Sequence, residues 1–487
     1  MNRHFRSATA AVFVTVLGGS LLTAGDGSAP RAKPVRGGTA AVAPRGGVVA
    51  SVPLKPQTRP VRRPALSGDF NGDGSGDLVL PAGDAVDRGG PGLVAVVYGS
   101  PRGPDARTRT VITRDTPGIR GAVPSNGWFG YRAGPGDFDR DGYADLALMQ
   151  TGRTTTPIRV LYGGPGGLSG RSVALRTPVP VALDDMVLGD FDGNGRTDLV
   201  ATDASRLWSF GDVGAASVIA RPSRLGIEVP KGGEAAVQLV AADFTGDGRS
   251  DLALRVTVFE AEDDYGTTHG RLRLGTPGGL GARTTRFDRA GTQAGDVNGD
   301  GRADLIAGPA LLEERKPGFA VHLGTPTGLA PPRTLDTATP PSRMAAFAVG
   351  DVNADGRADL AFGELDGTYG GAAPGGRIEL RISGAGAAAA GFQRLTASSP
   401  GMPWVGAAKG RFGEGGPVAG LHLALRDLNG DRSADLTIGA PAGGGDGNGV
   451  ISWLPGTPAG LTTQGARAFS SATLGLQVRG LGQVLIP

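Results

Sequence analysis

At 487 residues the chain has room for two or three ordinary domains or for one large domain of repeats. Its 86 glycines and 36 prolines make up about a quarter of the residues, yet no G-X-Y period runs through them and 39% of residues are hydrophobic, which excludes collagen and wholesale disorder and favours many short strands joined by turns. No cysteine is present, so disulfides and thiol-based metal or redox chemistry are excluded; 49 basic against 46 acidic residues, with no basic run interleaved with aromatics in the body of the chain, argue against nucleic acid as a partner.

The amino terminus has a basic start (Arg3, His4, Arg6), an apolar run from Ala8 to Leu22 and then small residues, the layout of a secretory signal peptide over residues 1–29 with cleavage expected after Ala24 or Ala29. About 15 apolar residues are short for a bilayer span, so no membrane span is expected in the mature chain, and the absence of cysteine excludes a lipid-modified N-terminal cysteine. Residues 30–64 alternate Pro, Gly and Val with Arg31, Lys33, Arg36, Arg45, Lys55, Arg59, Arg62 and Arg63, and read as a basic, mostly disordered linker.

From Asp69 onward one acidic motif recurs seven times: DFNGDGSGDL, DFDRDGYADL from Asp137, DFDGNGRTDL from Asp190, DFTGDGRSDL from Asp243, DVNGDGRADL from Asp296, DVNADGRADL from Asp351 and DLNGDRSADL from Asp427. The starts lie 68, 53, 53, 53, 55 and 76 residues apart, the length of one supersecondary unit with two insertions. Aspartate holds positions one and nine in every copy, short oxygen donors hold three and five, an apolar residue holds two, and Leu follows position nine. The eighth position is always small, which permits close packing where the loop turns back.

Hard oxygens at alternating positions, with glycine at position six to turn the chain, suit calcium. Side chains at one, three, five and nine would ligate, with the backbone carbonyl of seven. The first loop offers Asp69, Asn71, Asp73 and Asp77 with Ser75; the second Asp137, Asp139, Asp141 and Asp145 with Tyr143; the third Asp190, Asp192, Asn194 and Asp198 with Arg196. The fourth offers Asp243, Thr245, Asp247 and Asp251 with Arg249; the fifth Asp296, Asn298, Asp300 and Asp304 with Arg302; the sixth Asp351, Asn353, Asp355 and Asp359 with Arg357; the seventh Asp427, Asn429, Asp431 and Asp435 with Ser433. Up to seven calcium ions are therefore expected, one per repeat. Thr245 at position three and Arg432 at position six make the fourth and seventh loops weaker matches. The competing reading is a set of Asx-turns with solvated carboxylates. Against it, the loops hold 22 of the 46 acidic residues, a density that repels itself without a cation. An EF-hand is excluded, since no bidentate Glu stands at position twelve and the flanks (MVLGDF, DLVAT) read as strands.

Each unit reads strand, acidic loop, strand, hairpin, third strand with a turn (RVLYGGPGGL, RLRLGTPGGL, VHLGTPTGL), then a variable fourth strand. Four short strands per unit and seven units over residues 65–487 predict an all-β, seven-bladed β-propeller with its calcium loops between the first and second strands of each blade; a stacked solenoid is the main competitor. The chain resembles FG-GAP (VCBS-like) repeat proteins and is similar in plan to the β-propeller of integrin α subunits. Phe129-Gly130, Phe412-Gly413 and Gly439-Ala440-Pro441 carry the two signatures for which the repeat is named. At the carboxyl end, residues 474–487 repeat the entry to a blade without an acidic loop, and a closing strand beside the one leading to Asp69 is expected.

The calcium loops would then share one face. The opposite face takes the irregular hairpins 259–269, 311–318 and 364–371 and the long connections 125–131 and 398–413, with Trp128, Tyr131, Tyr265, Tyr369 and Trp404 as candidate contacts; Trp128 and Phe129 could equally plug the gap between blades. His269, His322 and His422 stand apart, and no GxSxG elbow or histidine metal pair occurs. The expected function is a secreted, monomeric, calcium-binding module for an extracellular protein or glycan and not an enzyme. The alternative is a secreted hydrolase or lyase on polysaccharide or lipid with structural calcium.

Overall fold

The computed structural model describes residues 68–82, 92–113, 129–150, 158–168, 170–211, 218–260, 266–308, 318–338, 344–364, 377–396, 398–403, 422–441, 448–476 and 480–482, with a few single residues between and beyond them. The expected signal peptide and linker lie outside these residues. So do the proposed contact residues Trp128, Tyr265, Tyr369 and Trp404, and the side chain of Tyr131.

Seven antiparallel sheets follow one another along the chain and form a seven-bladed β-propeller. Blade 1 has Leu78–Ala82, Leu93–Val97 and Arg109–Ile112. Blade 2 has Phe129–Gly136, Asp145–Gln150, Ile158–Leu161 and Ser172–Arg176; blade 3 has Asp185–Gly189, Asp198–Thr202, Arg206–Phe210 and Arg221–Arg224. Blade 4 has Glu234–Ala242, Asp251–Phe259, Thr267–Arg273 and Thr285–Phe287; blade 5 has Gln293–Gly295, Asp304–Ala307, Ala320–His322 and Arg333–Thr334. Blade 6 has Met344–Gly350, Asp359–Glu364, Arg377–Ser383 and Ala389–Thr396; blade 7 has His422–Arg426, Asp435–Ala440, Val450–Leu454 and Arg467–Ser470. Helical structure among the described residues is one 3-10 turn at Ala385–Ala387.

The second strand of each blade is buried on both faces over at least its first four residues because a neighbouring blade covers each side, which explains the unbroken apolar runs LVLPA, DLALMQ and DLTIGA in place of alternation. Seven hydrophobic clusters fill the seven seams. The apolar residue at loop position two enters each one: Phe70 between blades 1 and 2, then Phe138, Phe191, Phe244, Val297 and Val352, and Leu428 between blades 7 and 1. Phe129 of the first FG element is buried in the seam of blades 1 and 2, the gap-filling alternative.

A cycle of seven backbone hydrogen bonds ties the loops together. The amide at position eight donates to the carbonyl of the opening Asp one blade back: Ala144 to Asp69, Thr197 to Asp137, Ser250 to Asp190, Ala303 to Asp243, Ala358 to Asp296 and Ala434 to Asp351. Gly76 closes the cycle by donating to Asp427, and the seven distances run from 2.6 to 3.1 Å. The small eighth residue is now explained: a Cβ added at Gly136, Gly189, Gly295 or Gly350 would meet the side chain of Thr197, Ser250, Ala358 or Ala434 within 3.2 Å.

Two details differ from the sequence reading. Val218–Ile219 pairs in parallel with the outer strand of blade 2 before the chain becomes the fourth strand of blade 3, which stitches the two blades. The carboxyl-terminal segment forms turns and no strand among its described residues; Leu474 and Leu481 instead pack into the seam of blades 7 and 1, and the Leu481 amide donates to the Asn448 carbonyl. Three glycines within 474–482 deny this stretch a continuous strand geometry, with Gly475, Gly480 and Gly482 all at positive φ.

Candidate metal centres

Each acidic loop joins the first and second strands of its blade, blade 1 having no first strand among its described residues, and each is wound around its own opening carboxylate. In blade 5, Asp296 Oδ1 accepts the amides of Gly299 (2.7 Å) and Asp300 (3.2 Å), and Oδ2 accepts that of Gly301 at 2.7 Å. Asn298 Oδ1 accepts the Asp300 amide at 2.8 Å, and Asp300 Oδ1 accepts that of Arg302 at 2.9 Å. Blade 3 repeats this around Asp190 with Gly193, Asn194 and Gly195. The Asx-turns weighed against calcium are therefore present, and they fix the orientation of the opening carboxylate in each loop.

Position nine has a second occupation that alternating spacing does not reveal. The Oδ2 of Asp77, Asp145, Asp198, Asp251, Asp304, Asp359 and Asp435 accepts the amide of position two in its own loop. In six of these the Oδ1 also accepts an amide at or just past the end of the third strand, from Gly99, Gly163, Gly275, Gly324, Ser383 or Gly456. Burial pushes these carboxyls up despite the amides: Asp145 to about 8, Asp359 and Asp435 to about 7, Asp251 and Asp304 to about 6, and Asp77 well above the ordinary carboxylate range. The aspartates at positions one and five of the same loop add to the rise in most of them.

Blades 2 and 3 gather carboxylates most tightly. Asp137, Asp139 and Asp145, and likewise Asp190, Asp192 and Asp198, bring one ligand oxygen each to within 4.8 Å of one another. These two loops have Asp at position three; blades 1, 5, 6 and 7 have Asn and blade 4 has Thr245. In those Asn loops the amide donates to position five instead, as Asn71 Nδ2 does to Asp73 Oδ2 at 3.0 Å. The buried Asp139 Oδ1 has no hydrogen-bond partner among the described residues, while Asp139 Oδ2 pairs with Arg171. A buried carboxylate oxygen of this kind is costly unless something positive meets it.

Position seven also carries charge, which the sequence reading treated only as a carbonyl. Arg249 pairs with Asp247, Arg302 with Asp300 at 2.6 Å and Arg357 with Asp355 at 3.6 Å, so blades 4 to 6 place a guanidinium on the position-five carboxylate. The visible signal was the i, i+2 spacing of Asp and Arg in GDGR and ADGR. Of the three described histidines, His322 is buried with both ring nitrogens against the carbonyls of Ala330 and Arg289, His269 Nε2 accepts from Arg271 Nε at 3.3 Å, and burial lowers the pKa of His422 to about 4.

Residues 296–362 match the family model described as FG-GAP-like repeat; they run from the fifth loop to the second strand of blade 6. No curated protein matches the chain. Among solved structures, the chain is similar to an Agrocybe aegerita lectin that recognises non-reducing terminal N-acetylglucosamine, at 14% identity over 66% of this chain and 80% of that one, with a TM-score of 0.38. It is similar to an exotype rhamnogalacturonan lyase, YesX, at 15% identity over 80% of this chain and 60% of that one, TM-score 0.35. An ancestral GH74 enzyme aligns at 10% identity over 66% and 36% of the two chains, TM-score 0.36.

Proposed function

We propose that this FG-GAP-repeat propeller is a secreted module that binds an extracellular protein or glycan, holds calcium in its acidic loops as scaffold, and presents its ligand contacts on the opposite face. The observation that carries the calcium reading is the oxygen cluster of blade 2, where Asp137, Asp139 and Asp145 converge and the buried Asp139 Oδ1 lacks a hydrogen-bond partner among the described residues. An all-oxygen, multiply acidic donor set fits a hard divalent cation of flexible geometry. Asp137, Asp139, Asp141 and Asp145 would hold it there, with Asp190, Asp192, Asn194 and Asp198 in blade 3. The cation neutralises carboxylates that the Asx-turns have already oriented.

The scaffold role is supported by the position-nine aspartates, which bind strand and loop amides as well as facing the cluster. Secretion is supported by the pattern of residues 1–29 and fits a chain in which no described helix is long and apolar enough to cross a membrane. A binding role is supported by His322, committed to two backbone carbonyls, and by His269, committed to a neighbouring arginine.

Melting the mature protein in chelator, calcium and magnesium tests the first part. Loops of this kind in extracellular proteins bind with Kd on the order of 0.1–1 mM. At tenfold excess each occupied loop adds roughly 1.4 kcal/mol by mass action. The expected result is a melting temperature that falls by several degrees in chelator and is restored by calcium but poorly by magnesium; an unchanged melt overturns the calcium role. A screen against glycans and surface proteins tests the second part. Retention without turnover is expected, and release of new reducing ends or unsaturated products from a captured polysaccharide would instead make the protein a hydrolase or lyase.

A further inference from the structure

The outer edge of blade 3, beside blade 4, concentrates arginines that form no ion pair with a carboxylate among the described residues. Arg206 and Arg224 stand directly opposite each other across the third and fourth strands of blade 3, and both are exposed. Arg271 and Arg286 stand directly opposite each other across the corresponding strands of blade 4. Like charges at facing positions of an antiparallel pair destabilise it, so two such pairs on adjacent blades are a cost that the fold carries. Arg221 adds a further exposed cation on the blade 3 edge strand, whose sequence is RPSR.

Arg271 and a sixth arginine, Arg273, bolt the blades together through neutral groups. Arg273, only 5% exposed, donates from Nη1 to Ser223 Oγ at 3.0 Å and from Nη2 to the Arg224 carbonyl at 2.7 Å. Arg271 donates to the carbonyls of Leu225 and Gly226. Their charges are held in place beneath the edge strand without being cancelled. None of the six arginines forms an ion pair with a carboxylate among the described residues; Asp203 spends its oxygens on the amides of Ser205 and Arg206 and on Trp208 Nε1. Side chains alternate along the blade 3 strands: Leu207 and Leu225 face blade 4, and Trp208 faces blade 2. Arg206 and Arg224 therefore flank one side of the edge, while Arg271 and Arg273 flank the other.

We propose that this edge is a docking site for an anionic polysaccharide, with carboxylate or sulfate groups repeated along the polymer received by the guanidinium forks of Arg221, Arg224, Arg206 and Arg286. Planar forks on an exposed strand match oxyanions bidentately, and a local concentration of positive charge attracts a polyanion even though the whole chain carries only +3. A single-stranded nucleic acid would want aromatic platforms for its bases, and Trp208 and Phe210, the aromatics of the blade 3 third strand, are buried. The site rests on the binding-module reading and names one partner class for it, on a surface made by outer strands and separate from the acidic loops.

The test is equilibrium binding of the mature protein to polygalacturonate, dextran sulfate, neutral dextran and oligo(dT), each in calcium and in chelator. Expected are binding to the two anionic glycans that weakens steeply with sodium chloride, no binding to neutral dextran, and affinity retained in chelator. The triple variant Arg221→Gln, Arg224→Gln, Arg286→Gln should lose at least tenfold in affinity with an unchanged or higher melting temperature, since it relieves both facing pairs. Arg432→Gln, on a calcium loop, should bind as the parent does. Parental affinity in the triple variant overturns the proposal, as does equal or tighter binding of oligo(dT). Loss of glycan binding in chelator would assign it to the calcium loops and overturn the arginine site, whereas an unchanged melt in chelator removes the calcium role and leaves the arginine site standing.

Discussion

At position six the backbone of every acidic loop passes through positive φ, from 77° to 91°, and six of the seven residues there are glycine; the seventh is Arg432, at 77°. A side chain in that region crowds the following carbonyl and costs on the order of 1 kcal/mol. The Arg432 amide still donates to Asp427 Oδ2 at 2.8 Å, so the loop keeps its shape against the strain. Arg432→Gly is therefore expected to stabilise the protein by about 0.5–1 kcal/mol, the relief of strain being partly offset by a freer unfolded chain. Gly301→Ala, imposing the same strain on blade 5, is expected to destabilise by a similar amount. Urea midpoints measured in saturating calcium check both signs, and a lower midpoint for Arg432→Gly would contradict the strain assignment. This exception was legible from the residues, because a glycine repeated at one position of a turn has a steric meaning. The dual role of position nine was not. Its partners are an amide seven residues back and another on a neighbouring strand, and only the register of the blade brings them together.

Among the elements, the second strands and their flanking loops were readable from their apolar runs and fixed order. The two-residue pieces were not: the ribbons Gly275–Thr276 with Gly279–Leu280 and Gly456–Thr457 with Gly460–Leu461, and the crossover Val218–Ile219, are too short to show a period. The clasps between blades were equally hidden, and Tyr98 shows how one works. It is buried between blades 1 and 2, shares a hydrogen bond with Thr110 Oγ1 at 2.9 Å, and accepts the Leu168 amide of the next blade at 3.0 Å. Burial pushes its phenol from 10.0 up to about 12. An acid whose folded pKa is raised keeps its full contribution below its unfolded pKa and loses it as pH rises through the folded one, so the window is pH 10 to 12. Tyr98→Phe leaves the Leu168 amide unpaired and should cost about 1–2 kcal/mol at neutral pH. The same variant should show a shallower fall of melting temperature between pH 10 and 12, which a series of melts measures; a fall as steep as the parent's would place the alkaline sensitivity elsewhere.

At the scale of the molecule, a ring without disulfides must hold its first and last blades together by packing and hydrogen bonds alone. The Gly76 to Asp427 bond continues the cycle across that seam at 3.1 Å, but the residue before the opening Asp differs there. Gly68, Gly136, Gly189, Ala242, Gly295 and Gly350 hold that place in the other blades, and Arg426 holds it in blade 7. Burial lowers the Arg426 pKa to about 10 against the opposing influence of Asp77, and the guanidinium lies so close to Gly68 that an added Cβ would stand 2.3 Å from Nη1. The seam is thus built differently from the other six, with Trp453, Leu78, Leu80 and Phe469 covered by Leu474 and Leu481 of the carboxyl-terminal turns. Two buried leucines contribute about 3–6 kcal/mol together, a large part of the stability of an ordinary domain. Deleting residues 472–487 should therefore open the ring at this seam while the other six seams persist. The expected readouts are dye binding to newly exposed apolar surface, a broadened melt, and a red-shifted tryptophan emission that the same deletion in a Trp453→Phe background lacks. A deletion variant that melts as sharply and as high as the full chain would show that the cycle of amides closes the ring without the terminal turns.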